Sequence, residues 1–200
     1  MNRLLSHRWA KTLVFALCLL PLSWLLSRVA QDQLGANPQE ALIRATGDWA
    51  LRFLVIVLAV TPLRELSGLS ALARYRRMLG LFMYFYALLH FLSYSGFDMG
   101  FDVADIVIDI VKRPFILVGS LALLLLTPLA ATSFNAAIRT LGAKRWQRLH
   151  RLVYAVAGLA ILHFFWMRAG KNDFAEVAVY AALLALLLGW RLRRLRLRPR

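Results

Sequence analysis

Runs of apolar residues long enough to cross a lipid bilayer recur along the chain, and no other feature limits its folding so severely. In hydrocarbon every backbone N–H and C=O must be bonded internally, which leaves helices and closed barrels as the spanning structures. A helix needs roughly 20 apolar residues to cross. On that ruler the sequence predicts spans near 9–29, 49–66, 78–97, 115–133, 149–167 and 174–190. The expected fold is an all-α integral membrane protein, a six-helix transmembrane bundle forming one domain over 1–200. The second span has the weakest apolar content, because Arg52, Arg64 and Glu65 trim it, although terminal arginines can snorkel. The first, with Arg3, Arg8 and Lys11 ahead of it, looks like a signal peptide. Arg28, however, stands where an A-x-A site needs a small residue, and the apolar run continues past Pro21, so it reads as a retained helix.

The formal charge of +15 would suggest nucleic acid in a soluble protein, but with 60% hydrophobic residues the basic side chains fall in short clusters between the spans. They anchor topology instead. Of the 25 Lys and Arg, 18 lie on one side: before the first span, at Arg64, Arg74, Arg76 and Arg77, from Arg139 to Arg151, and in the tail from Arg191 to Arg200. Nine of the 10 acids lie on the other side, among them Asp98, Asp102, Asp105 and Asp109. The positive-inside rule then makes both termini cytoplasmic in a multi-pass protein of a bacterial inner membrane. Between Asp98 and Lys112 aspartates alternate with Phe101, Ile106, Val107, Ile108 and Ile110, which suits a short amphipathic segment at the outer surface or a solvated loop. The alternating Leu and Arg after Trp190 suit anionic headgroups.

Chemistry has few places to reside. Cys18 is the only cysteine, which excludes a disulfide framework, a CxxC redox pair and a multi-cysteine zinc or iron–sulfur site. There is no GxGxxG and no P-loop, so the chain has no nucleotide domain of its own. What remains is a pair of histidines inside spans, where ionisable groups are costly and usually functional. His90 lies 13 residues beyond Arg77, about 20 Å into the membrane at 1.5 Å per residue, and His163 lies 15 beyond Arg148, about 22 Å. Equal depth suits axial ligation of one haem iron. Proton or substrate relay, as in a transporter or channel, and plain interhelical hydrogen bonding stay open beside it. Zinc would want three or four ligands, and the spans offer no thiolate or carboxylate at that depth.

His150 stands nearer the cytoplasmic edge, 13 residues or about 20 Å below His163 on the same helix. It suits an iron ligand with an unusual partner, a flavin pocket, a propionate contact or an ordinary interfacial histidine. A shift of 73 residues lays Leu89-His90-Phe91 on Leu162-His163-Phe164, and puts Arg77 where His150 falls. The third and fifth spans therefore look like related elements running in the same direction. Arg74, Arg76 and Arg77 together suit the phosphate of a flavin, or simple topological anchoring.

Several segments, in order, resemble the MsrQ (YedZ) family of haem-binding membrane subunits. They are Ala50-Leu51-Arg52-Phe53-Leu54, Thr61-Pro62-Leu63-Arg64, Arg76-Arg77-Met78-Leu79-Gly80-Leu81, Leu89-His90 with Ser93-Tyr94, Lys112-Arg113-Pro114-Phe115, Leu141-Gly142 with Trp146 and Leu149-His150, and His163-Phe164-Phe165-Trp166. The resemblance implies a ferric-reductase-like transmembrane domain binding b haem and FMN, with His90, His150 and His163 as the haem histidines. It further implies electrons arriving from a cytoplasmic flavin reductase or the quinone pool and leaving to MsrP, a periplasmic molybdenum-cofactor enzyme that reduces methionine sulfoxide in envelope proteins. The chain itself would be an electron-transfer subunit.

Overall fold

The computed structural model describes residues 2–170 and 172–197, with side chains as far as 194; Met1, Lys171 and residues 198–200, which include Arg198 and Arg200 of the basic tail, lie outside. Among the described residues the regular structure is entirely helical. The chain forms two compact units, Met1–Ile106 and Val107–Arg200.

In the first unit a short α1 (Asn2–Ser6) leads into α2 (Arg8–Ala30), whose first turn is capped by the His7 ring accepting from the Trp9 amide. The long α3 (Pro38–Ser67) begins with Asn37 accepting from the Glu40 amide and with Pro38 in the first turn, where its missing N–H is no loss. It ends on Gly68, whose φ of 69° is the left-handed cap that a side chain would oppose. A 3-10 turn (Ser70–Tyr75) then delivers the chain to α4 (Arg76–Phe97). α3 packs along α4. Leu54, Leu58 and Phe53 on one side meet Phe82, Met83 and Tyr86 on the other, all buried, and the Phe53 ring stacks on Tyr86 at 5.2 Å and on Phe82 at 5.8 Å. Tyr86 is fully buried, and its hydroxyl donates to the Cys18 carbonyl (2.9 Å) while accepting from the Leu22 amide (3.2 Å). It thereby fastens α2 at the turn around Pro21.

Five described helical segments are long and apolar enough to cross a membrane: 8–30, 70–97, 114–131, 143–169 and 175–194. The expected span at 49–66 lies within α3. That helix has the length, at 30 residues, but it carries Glu40, Arg44, Asp48, Arg52, Arg64 and Glu65. Its buried face, from Leu51 to Pro62, belongs to the unit's core.

A helix does form in the aspartate-rich stretch. α5 (Val103–Lys112) is capped by Asp102, whose carboxylate accepts from the Ala104 and Asp105 amides at 2.8 and 3.1 Å. Val103, Val107 and Val111 recur at helical spacing and are exposed, and Asp109 pairs with Arg113 at 2.8 Å. Asp102→Ala is expected to fray α5 at a cost of about 1 kcal/mol, read as faster amide exchange at Ala104 and Asp105 with the rest of the chain unchanged.

In the second unit α6 (Pro114–Ala131) packs along α9 (Val153–Ala169), after two short helices, α7 (Asn135–Leu141) and α8 (Ala143–His150), have turned the chain. α10 (Ala175–Leu197) returns beside α9. The two are tied at both ends. Arg168 reaches Asp173 (3.1 Å) and Glu176 (2.6 Å) and covers the Phe164 ring, and Arg191 donates to the Tyr154 hydroxyl (2.5 Å).

Candidate functional site: two histidine seats

His90 lies on α4 one turn beyond Tyr86, so the packing that buries Tyr86 turns the imidazole toward α3. There its Nδ1 meets the Ile43 carbonyl at 2.7 Å. The ring lies flat against Gly47, one turn further along α3, where a methyl group would stand 3.0 Å from both Cε1 and Nδ1. Thr46, buried between them, shares its hydroxyl with the carbonyls of Leu42 (2.8 Å) and Ile43 (2.9 Å).

The second unit repeats the arrangement. His163 on α9 brings its Nδ1 to the Phe115 carbonyl at 2.6 Å, and its ring lies against Gly119, where a methyl group would stand 2.9 Å from Cε1 and Nδ1. In both seats the accepting carbonyl and the glycine are four residues apart on one helix, and the histidine comes from the helix packed along it. The sequence repeat at 73 residues covered only the histidine helices; Ile43 and Gly47 pair with Phe115 and Gly119 at an offset of 72.

A carbonyl only accepts, so Nδ1 carries the proton and a neutral ring holds its lone pair on Nε2. That tautomer, fixed by a backbone acceptor, is the one a metal-ligating histidine adopts. Among the described residues no three His, Cys, Asp or Glu side chains converge as a cage for a bare ion. An imidazole in each seat suits a tetrapyrrole, whose own nitrogens occupy the equatorial positions and leave the axial ones to the protein.

His150 sits differently. It closes α8, and the following amides of Arg151, Leu152 and Tyr154 bond three residues back, so the chain tightens before α9 begins. The single straight helix expected over 149–167 is interrupted here, and with it the assumption of a constant rise from His150 to His163. The His150 ring stacks on Trp146 at 3.9 Å, its Nε2 lies 3.1 Å from the Thr132 hydroxyl, and the Trp146 N–H donates to the Thr132 carbonyl at 2.9 Å. Thr132 also donates to the Pro128 carbonyl, 2.7 Å away, so its hydroxyl joins the His150 ring to the end of α6. Thr132→Val is expected to cost about 1 kcal/mol by removing this link, seen in thermal unfolding, while the Trp146 bond to the main chain persists.

Arg74 donates to the carbonyls of Leu5 and Ser6, helped by the Tyr75 hydroxyl on Leu5 (2.5 Å), and Arg76 donates to the Thr61 hydroxyl. These contacts tie α1 and the end of α3 to the turn before α4. Arg77 is exposed.

Residues 46–161 match the family described as ferric reductase like transmembrane component. Three relatives carry the same descriptive name, protein-methionine-sulfoxide reductase heme-binding subunit MsrQ. The one from Polaromonas naphthalenivorans is 72% identical over 94% of this chain and 85% of its own length. That from Ralstonia nicotianae is 54% identical over 93% and 86%, and that from Rhodospirillum rubrum 51% over 92% and 88%. No solved structure matches the chain.

Proposed function

Because this chain belongs to the MsrQ family of ferric-reductase-like transmembrane proteins, we propose that it is the haem-binding subunit of a protein-methionine-sulfoxide reductase and carries electrons across a bacterial inner membrane. The donor is cytoplasmic, a flavin reductase or the quinone pool, and the acceptor is a periplasmic molybdenum-cofactor partner of the MsrP kind. Both termini face the cytoplasm in this reading.

The observation that carries it is the repeated seat, a histidine whose Nδ1 is held by a main-chain carbonyl against a glycine. His90 and His163 would each offer Nε2 to the iron of b haem. Bound haem supplies a one-electron carrier whose potential follows from its axial ligands and its burial. Each carbonyl, by accepting from Nδ1, raises the basicity of Nε2 and fixes the plane of the ring. His150, stacked on Trp146 with a threonine hydroxyl at Nε2, is assigned a supporting place near the cytoplasmic edge. FMN belongs to the electron-entry side, and its phosphate is not assigned to Arg74 or Arg76, which serve Leu5, Ser6 and Thr61.

The test is the reduced-minus-oxidised spectrum of the full chain in detergent. A b-type band is expected, and the reduced band should decay when the molybdenum partner and a methionine sulfoxide substrate are added anaerobically. A well-folded, colourless protein refutes haem binding, and a reduced band indifferent to partner and substrate refutes the delivery step.

A further inference from the structure

Glycine in the interior of a helix is unfavourable relative to alanine, so a helical glycine needs a reason. Of the glycines within long helices, Gly80 on α4 and Gly158 on α9 face open space, whereas Gly47 and Gly119 each lie under an imidazole. At Gly119 a methyl group would be 2.9 Å from Cε1 and Nδ1 and 3.3 Å from Cγ of His163; at Gly47 the matching distances to His90 are 3.0, 3.0 and 3.5 Å. Neither ring can simply swing aside, because its Nδ1 is bonded to a carbonyl on the same helix as the glycine, 2.6 Å away in one seat and 2.7 Å in the other. The same three-point contact occurs in two separate units, on helices whose sequences otherwise differ.

We propose that Gly47 and Gly119 are positioning residues that set the electronic state of the haem iron through His90 and His163. They act by letting the imidazole approach the helix closely enough to keep a short Nδ1–H···O=C bond. This rests on His90 and His163 being haem ligands. The short bond pushes electron density onto Nε2 and favours ferric iron. A side chain at either glycine displaces the ring by a few tenths of an ångström, lengthens that bond and weakens the donor. The consequence is a midpoint potential shifted to more positive values and an altered low-spin ferric signal.

The experiment compares wild type with Gly47→Ala and Gly119→Ala, with Gly80→Ala and Gly158→Ala as controls on the histidine helices. Potentiometric titration of the haem band, electron paramagnetic resonance of the ferric state, and thermal unfolding are measured on each purified full chain. Both site variants should move the potential upward and shift the resonance, Gly119→Ala more than Gly47→Ala because its clearance is smaller, and both controls should leave the spectra unchanged. Folded site variants with wild-type potential and resonance overturn the proposal. So does a merely structural outcome, in which alanine stabilises the helix and the spectra stay put. If Gly119→Ala does not fold, Gly47→Ala, where the clearance is larger, decides by the same criteria. A wild type without haem would overturn the ligand assignment itself, whereas a haem-loaded wild type with indifferent glycines overturns only this inference.

Discussion

His163→Ala is expected to abolish the b-type haem band, lowering retained haem by about 100-fold or more, since losing even an orienting partner of a metal ligand costs 10- to 100-fold in affinity. The substitution removes the ring that lies on Gly119 and leaves the Phe115 carbonyl facing the vacated space. Imidazole added to the medium should enter that space and restore part of the band, which separates loss of a ligand from misfolding. His90→Ala should behave in the same way through the Gly47 seat. His150→Ala should lose less of the band than either, because His150 closes α8 outside the two glycine seats. Retention of a wild-type spectrum by either His90→Ala or His163→Ala would remove that residue from the ligand set.

Tyr86→Ala is expected to have the largest effect on stability, about 3–5 kcal/mol, because the side chain is fully buried among Phe53, Phe82 and Phe85. Tyr86→Phe isolates the hydroxyl. It keeps the stacking on Phe53 but leaves the Leu22 N–H and Cys18 C=O without their bridge in an apolar setting, at a cost of about 1–3 kcal/mol. The loss falls at a turn already short of one donor, since Pro21 brings no N–H. A lower unfolding midpoint in detergent with an unchanged haem spectrum is the expected signature. An unchanged midpoint would mean that the hydroxyl bridge adds nothing measurable to the hold on α2, which also meets α4 where Phe15 packs on Phe82 at 5.2 Å.

Hydropathy located the apolar helices because it measures the property that a bilayer selects for. It could not see the first third of α3, where Glu40, Arg44 and Asp48 keep the local hydropathy low although Asn37, Pro38 and the Glu40–Arg44 ion pair all favour a helix. That polar third contains Ile43 and Gly47, so half of the seat for His90 was hidden with it. Gly119 lies in plain apolar sequence, and its signal was available: a glycine in mid-helix, 72 residues after another, beside histidines 73 apart. Equal depth drew attention to His90 and His163, and the two seats support that choice from a different direction. The reading of His150 assumed a straight helix, and nothing in its side chains announces the run of tight bonds after it. The arginines were legible as a cluster but not as individuals, because which acceptor each one meets depends on where α1 and the end of α3 come to rest.

The paired ends of α9 and α10 bear on how the last part of the chain enters the bilayer. A lone arginine at the bilayer centre costs about 2.5–3.5 kcal/mol on insertion scales. Arg168, sitting where α9 turns into the loop, meets Asp173 and Glu176 from the other side of that loop, so the tip carries its own counterions. The cost of desolvating that cation is thus offset by partners five and eight residues further along the chain, within the last two helices themselves.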